Sequence, residues 1–165
     1  MIDEPIEVIQ VHLKPGELVI CRDARIVTTV LGSCVTLTMF NPRLGLAAIC
    51  HAMLPEPHHP DALYDDHPDR YRYARFVIPA MADAFRRAGI RTDEIDAKLF
   101  GGANIMRSVD AAHSPPGVGQ ANIRMARLLL EREGLRLKAS NVGGHGGRKI
   151  IFNTSTGGVL HKHLS

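Results

Sequence analysis

The sequence predicts an α+β fold, a largely antiparallel sheet system with two main helices packed on it, and three observations carry that prediction. The first third of the chain is one β-rich run after another, joined by short turns. Two later stretches repeat apolar residues at helical spacing, and each closes on a glycine. The end of the chain returns to short strands separated by Gly-rich turns.

Residues 6–13 alternate apolar and polar side chains, and Lys14, Pro15, Gly16 and Glu17 supply a turn, so a first strand is expected here. Residues 18–21, 26–31 and 34–40 are rich in Val, Ile and Thr, with Gly32 and Ser33 separating the last two runs. Asn41, Pro42 and Arg43 make a turn, and 45–54 reads as a buried strand ending in His51, Ala52, Met53 and Leu54. The stretch 55–68 holds four prolines, three histidines and several acids without periodicity, and is expected to be an irregular loop. Tyr73, Val77, Ala80, Met81, Ala84, Phe85 and Ala88 then recur at helical spacing, with Gly89 as C-cap. Pro79 inside this pattern is expected to bend or break the helix, because it cannot donate to the carbonyl of Arg75. A short buried strand, 97–100, runs into Gly101 and Gly102. A second helix, 118–133, shows Ile123, Ala126, Leu129 and Leu130 on its apolar face, and 135–142, 149–153 and 158–164 finish the chain as strands.

At 165 residues, one domain spanning 1–165 is expected, long enough to bury a core without staples. The net charge of +3 is spread among acids and apolar residues, and Trp is absent. A nucleic-acid protein shows a denser basic stripe with stacking aromatics, so that class ranks low. The start Met1-Ile2-Asp3-Glu4-Pro5 has no basic region leading into an apolar one, and no run of about 18 apolar residues follows. A cytoplasmic protein without membrane insertion is therefore expected. Three cysteines, an odd number, do not make a disulfide framework, so each is core, ligand or nucleophile.

Cys34 is the most informative of them. It follows a glycine turn at the start of a strand, where rigid backbone holds the thiol and neighbouring N–H groups can face an oxyanion. The competing reading is a small core residue. His51 lies 17 positions on, near the end of the next expected strand. Strands joined by a short turn can lie side by side, so the two could meet, and a histidine in reach of a thiol can activate it. A metal site is not expected. Cys21, Cys34, Cys50, His51, His58, His59 and His67 contain no C-x2-C pair, and adjacent Cys50 and His51 point to opposite faces of a strand. Cys21 and Cys50 read as core residues. Gly101-Gly102 and the run Gly143 to Gly147 lack the spacing of a nucleotide-binding loop and read as tight turns, so no cofactor is expected.

Three stretches taken together resemble the CheD family of chemoreceptor glutamine deamidases. They are Thr28-x5-Cys34 around Leu31-Gly-Ser-Cys-Val35, then His51-Ala-Met-Leu-Pro55, then Lys98-Leu-Phe-Gly-Gly-Ala103. Val118-Gly-Gln-Ala-Asn122 and Gly143-Gly-x2-Gly-Arg148-x3-Phe152-x3-Thr156-Gly157 support the match, which departs from the family pattern at Ala121 and Asn141. The resemblance implies a layered sandwich similar to the catalytic domains of deamidating toxins, and a triad falling on Cys34, His51 and Thr28. Ser33, Gly102 and Ala103 are the positions expected to hold the oxyanion or the substrate. The implied substrates are glutamines on the helical cytoplasmic region of chemoreceptors, converted to glutamates through a cysteine thioester, with receptor methyl esters as a further class. The implied partner is a CheC-type phosphatase, and binding to it without catalysis is the alternative role. A peptidase or small-molecule amidase using the same pair is the other enzyme class considered.

Overall fold

The two faces of one central strand belong to two different cores, and that division builds the molecule. In the computed structural model, which describes residues 4–58, 65–104 and 117–164, strand β4 (Val35–Asn41) is buried along its whole length. Val35, Leu37 and Met39 on one face pack among Val77, Met81, Phe85, Ile123 and Leu130, which come from helices. Phe40, on the other face, packs with Val27, Ile49 and Phe152, which come from strands. A strand with two apolar faces must be covered on both sides. Helices cover one face here, and a second sheet covers the other.

The central sheet runs in the order β2-β5-β4-β6-β7, with β2 Leu18–Cys21, β5 Leu46–Cys50, β6 Asp96–Gly101 and β7 Leu137–Val142. The covering sheet runs β1-β3-β8-β9, with β1 Ile9–His12, β3 Arg25–Leu31, β8 Arg148–Asn153 and β9 Val159–His163. Of these strand pairs, β1 with β3 and β6 with β7 are parallel and the others antiparallel. Helices α1 (Ala74–Arg87) and α2 (Val118–Arg132) pack on the free face of the central sheet. The fold is α+β, a layered sandwich of largely antiparallel sheet with two main helices.

Two boundaries differ from the sequence reading in ways that matter. The strand expected over 45–54 ends at Cys50, so His51 stands on the rim just beyond it. The helix through Pro79 is continuous rather than broken. Arg75, whose carbonyl Pro79 cannot bond, lies on the solvent side, where water can take the acceptor. The irregular stretch 55–68 lies partly outside the described residues, at 59–64.

Helix α2 approaches the end of β6 so closely that only a hydrogen fits between them. A Cβ on Gly119 would stand 2.5 Å from the carbonyl oxygens of both Gly102 and Ala103. Alanine's helix advantage over glycine is at most about 1 kcal/mol. Forcing a methyl against main-chain atoms costs about 1–3 kcal/mol and moves the helix. The clash outweighs the propensity gain, and Gly119→Ala is expected to lower stability by about 2 kcal/mol, or Tm by about 4–8 °C. A thermal unfolding curve checks this; an unchanged or raised Tm would show that the helix can ride outward without loss.

Candidate active site

Side-chain parity on the strands gathers the reactive groups at one rim between the two sheets. The inward face of β4 carries Thr36, Thr38 and Phe40, and Cys34, just ahead of the strand, points the same way. Its side chain packs against Leu31, Phe100 and Ile150 at the inter-sheet core. The β4–β5 ladder pairs Thr38 with Ile49, and Val35 with Ala52 at an isolated bridge in the same register. Thr36 therefore stands opposite His51, with Cys34 on the diagonal. Diagonal neighbours lie about 7–8 Å apart, within reach of an imidazole.

His51 is 2% exposed and reaches across to the covering sheet, where its Nδ1 lies 2.7 Å from Thr29 Oγ1. Thr29 Oγ1 in turn donates to the carbonyl of Leu13 at 2.8 Å. This chain of contacts settles the tautomer. A carbonyl only accepts, and a threonine hydroxyl has one hydrogen, so Thr29 spends it on Leu13 and accepts from His51. Nδ1 carries the proton, and Nε2 is left with its lone pair. Nε2 is buried and has no hydrogen-bond partner among the described residues, so it makes no bond to the Cys34 thiol in the resting structure. The His51 backbone is held on both sides by the turn after β1, with Gly16 N donating to His51 O at 2.9 Å and His51 N donating to Glu17 O at 3.2 Å.

The loop bearing Cys34 is held just as closely. Gly102 N donates to Cys34 O at 2.8 Å, and Ala103 N to Gly32 O at 3.0 Å. Gly101, at φ +103°, leaves no room for a side chain, since a Cβ there would fall 2.2 Å from Cys34 O. From the helix layer, Asn122 Nδ2 donates to Ser33 O and to Met53 O, each at 3.0 Å. Asn122 is fully buried.

Burial sets the charge state. It pushes the Cys34 thiol up from its ordinary range, partly offset by the residue's own backbone N–H. Burial, with His12 as a smaller cause, pushes the His51 imidazole down to about 4. The resting pair is therefore a neutral thiol and a neutral base, not a thiolate–imidazolium pair.

Of the residues singled out from sequence, Cys34 and His51 come to the same rim and Thr28 does not. On β3 the inward positions are Val27, Thr29 and Leu31, all buried. Thr28 points out of the sandwich, so the hydroxyl that meets His51 is that of its neighbour, Thr29. Gly102 and Ala103 lie beside the Cys34 loop, but both their N–H groups donate to its carbonyls and are not free for an oxyanion. Ser33 and Cys34 are different, since their N–H groups make no backbone hydrogen bond among the described residues. Sequence reasoning passed over Thr29, and met Asn122 only as the end of the Val118-Gly-Gln-Ala-Asn122 match, with no place at the site. The alternation of Val27, Thr29 and Leu31 was a usable signal for the first. Asn141, where the motif departs from the family pattern, accepts from Arg148 Nε at 2.7 Å, and the buried Arg148 guanidinium also donates to the Gly143 carbonyl. Cys21 and Cys50 are buried in the cores. No cluster of metal-ligating side chains occurs among the described residues. None of their helices is long and apolar enough to cross a membrane.

The fold and the site define a two-sheet α+β protein with a thiol and a neutral imidazole at one rim, groups suited to acyl transfer. The chain belongs to the CheD family. The family model described as CheD chemotactic sensory transduction matches residues 53–163, a stretch that begins just after His51. A Geobacter sulfurreducens protein named "Probable chemoreceptor glutamine deamidase CheD 2" is 43% identical over 94% of this chain and 90% of its own length. Relatives named "Probable chemoreceptor glutamine deamidase CheD" are 40% identical in Oleidesulfovibrio alaskensis, over 94% of this chain and 73% of that protein. In Maridesulfovibrio salexigens the figures are 36%, 94% and 92%. Among solved structures, YlmD from Geobacillus stearothermophilus is similar at a TM-score of 0.48 and 15% identity, covering 84% of this chain and 60% of that one.

The depressed imidazole has a consequence for stability. The unfolded His51 takes up a proton near its ordinary 6.5, and the folded one only near 4. Between those values the unfolded state binds more protons, so this contribution is complete above about pH 6.5 and is lost as pH falls toward 4. Urea unfolding is expected to show about 2–3 kcal/mol less stability at pH 4.5 than at pH 7 from this group alone. The same comparison on His51→Gln should lack that increment; equal pH slopes in the two proteins would mean that His51 is not held neutral.

Proposed function

We propose that this chain is a glutamine deamidase acting on chemoreceptors, with Cys34 as nucleophile, His51 as general base and acid, and Thr29 as the residue that orients the imidazole. One observation carries the reading. The hydrogen-bond relay from Leu13 through Thr29 leaves His51 Nε2 as a buried base on the same face as Cys34. The names of the relatives support the substrate class.

In this mechanism Nε2 takes the thiol proton as Sγ attacks the glutamine Cδ, and the carbonyl oxygen becomes an oxyanion. The N–H groups of Ser33 and Cys34 are its donors. The Nε2 proton then passes to the amide nitrogen, the C–N bond breaks, and ammonia leaves a thioester on Cys34. Water attacks the thioester, giving its proton to Nε2, and the carboxylic acid of glutamate departs as the proton returns to sulfur. General acid–base help supplies about 10²–10⁴-fold and one oxyanion donor about 10²–10³-fold, so both are needed for amide hydrolysis. A neutral base suits this route, because the proton is transferred during attack rather than stored beforehand. Methyl esters of receptor glutamates would pass through the same thioester. Glutamines on the helical cytoplasmic region of receptors are the proposed targets, and a CheC-type phosphatase is a proposed second partner.

Peptide mass analysis of a glutamine-containing receptor fragment tests the reading. Wild-type protein should convert specific glutamines to glutamates with the main chain intact, and Cys34→Ala should convert none. No conversion by folded, reduced wild type would sink the deamidase reading, and cleavage of the main chain would make the protein a peptidase. In the same assay Thr29→Ala is expected to lose about 10–100-fold in kcat, since it frees the imidazole and leaves two buried polar groups unpaired. Thr28→Ala should stay within about 3-fold of wild type, as a side chain outside the site does. The reverse order of losses would return the orienting role to Thr28.

A further inference from the structure

We propose that Asn122 is a positioning residue for the reaction, an amide clamp from the helix layer that sets the spacing between the Cys34 and His51 arms. The inference rests on the functional reading above, and its geometry is independent of it.

The two arms have little else to hold them to each other. The β4–β5 ladder is continuous only from Thr38 and Ile49 onward, away from the rim. Toward the rim the arms share a single isolated bridge, in which Val35 and Ala52 exchange N–H···O bonds of 2.9 Å. Beyond it Cys34 is tied to the end of β6, and His51 to the turn after β1, which are different parts of the fold. Asn122 closes this gap. Its Nδ2 has two hydrogens and spends one on Ser33 O, immediately before the nucleophile, and one on Met53 O, two residues after the base.

The orientation of the amide follows from chemistry. Both partners are carbonyls, which only accept, so a flipped amide would set Oδ1 against two oxygens. Oδ1 then faces away from both carbonyls and has no partner among the described residues. Asn122 also lies in the first turns of α2, close to where Gly119 is seated on the Gly102 and Ala103 carbonyls. The clamp is therefore mounted on a rigid support. A cavity of about 580 Å³ at the opposite end of α2, lined by Leu130, Leu135 and Leu137 among others, shares no residue with it.

A positioning role predicts opposite movements in two readouts. In Asn122→Ala the arms loosen, so kcat on the receptor fragment should fall about 10²-fold with KM changed less than about 3-fold, as misplacement by about 1 Å does. The Cys34 thiol, freed from its tight loop, should react with iodoacetamide about 3–10-fold faster at pH 8, as exposed thiols do. Peptide mass spectrometry separates Cys34 from Cys21 and Cys50. Leu129→Ala, buried on the same helix about two turns beyond Asn122, controls for lost stability and should leave both readouts near wild type. Should Asn122→Ala fail to fold, the near-isosteric Asn122→Leu keeps the packing and removes the donors, and is read in its place. If the Asn122 variant matches Leu129→Ala in both measurements, the clamp is only structural and the proposal is wrong. If wild type deamidates nothing, the functional reading fails, while the alkylation contrast still decides whether Asn122 holds the two arms.

Discussion

One hydroxyl hydrogen governs the site. Thr29 has a single proton to donate, and the carbonyl of Leu13, which can only accept, takes it at 2.8 Å. Everything that follows at His51 depends on that choice. The imidazole must donate from Nδ1, and Nε2 must keep its lone pair. The acceptor is available because the chain just after β1 lies beside β3, where Leu13 N donates to Thr28 O at 2.8 Å. The parallel pairing of a short edge strand thus reaches, through one threonine, to the protonation state of a histidine on the other sheet.

The same site shows why an orienting group need not be charged. A carboxylate in the place of Thr29 would draw the imidazole toward its protonated form. A threonine fixes ring and tautomer while leaving burial free to hold His51 neutral, at about 4. Burial also holds the Cys34 thiol in its protonated form. Two effects that would oppose an ion pair agree with each other when the task is proton transfer during attack. The missing hydrogen bond between thiol and imidazole in the resting state fits that picture, since catalytic contacts often close only around substrate.

Main-chain packing fixes the loop that bears Cys34, and glycines permit it. Gly101 admits the Cys34 carbonyl where any side chain would collide, and Gly119 lets a helix rest on the carbonyls that follow. These close approaches use the N–H groups of Gly102 and Ala103 as struts. In the proposed mechanism the oxyanion therefore falls to the Ser33 and Cys34 amides, which lie at the turn itself. Rigidity here is inexpensive in side-chain entropy, because the contacts are made by backbone.

Much of this could be read from the sequence alone. Alternating strand residues, two amphipathic helical stretches and the punctuation of Gly32, Gly89 and Gly134 specify an α+β fold, because secondary-structure period is written locally. The opposite facing of Cys50 and His51 also follows from strand parity by itself. Tertiary structure decided what parity cannot. Whether Thr28 or Thr29 meets His51 depends on which face of β3 is covered, and that is known only once the second sheet is in place. The strand expected through Leu54 ends at Cys50 because His51 bonds to the turn after β1, a partner far away in sequence. Asn122 gives no local sign of its role, since its two acceptors, Ser33 and Met53, lie 89 and 69 residues away along the chain. Local chemistry named the thiol and the imidazole. Long-range packing chose the atoms that orient them, because hydrogen-bond partners are set by distance in space and not by spacing in sequence.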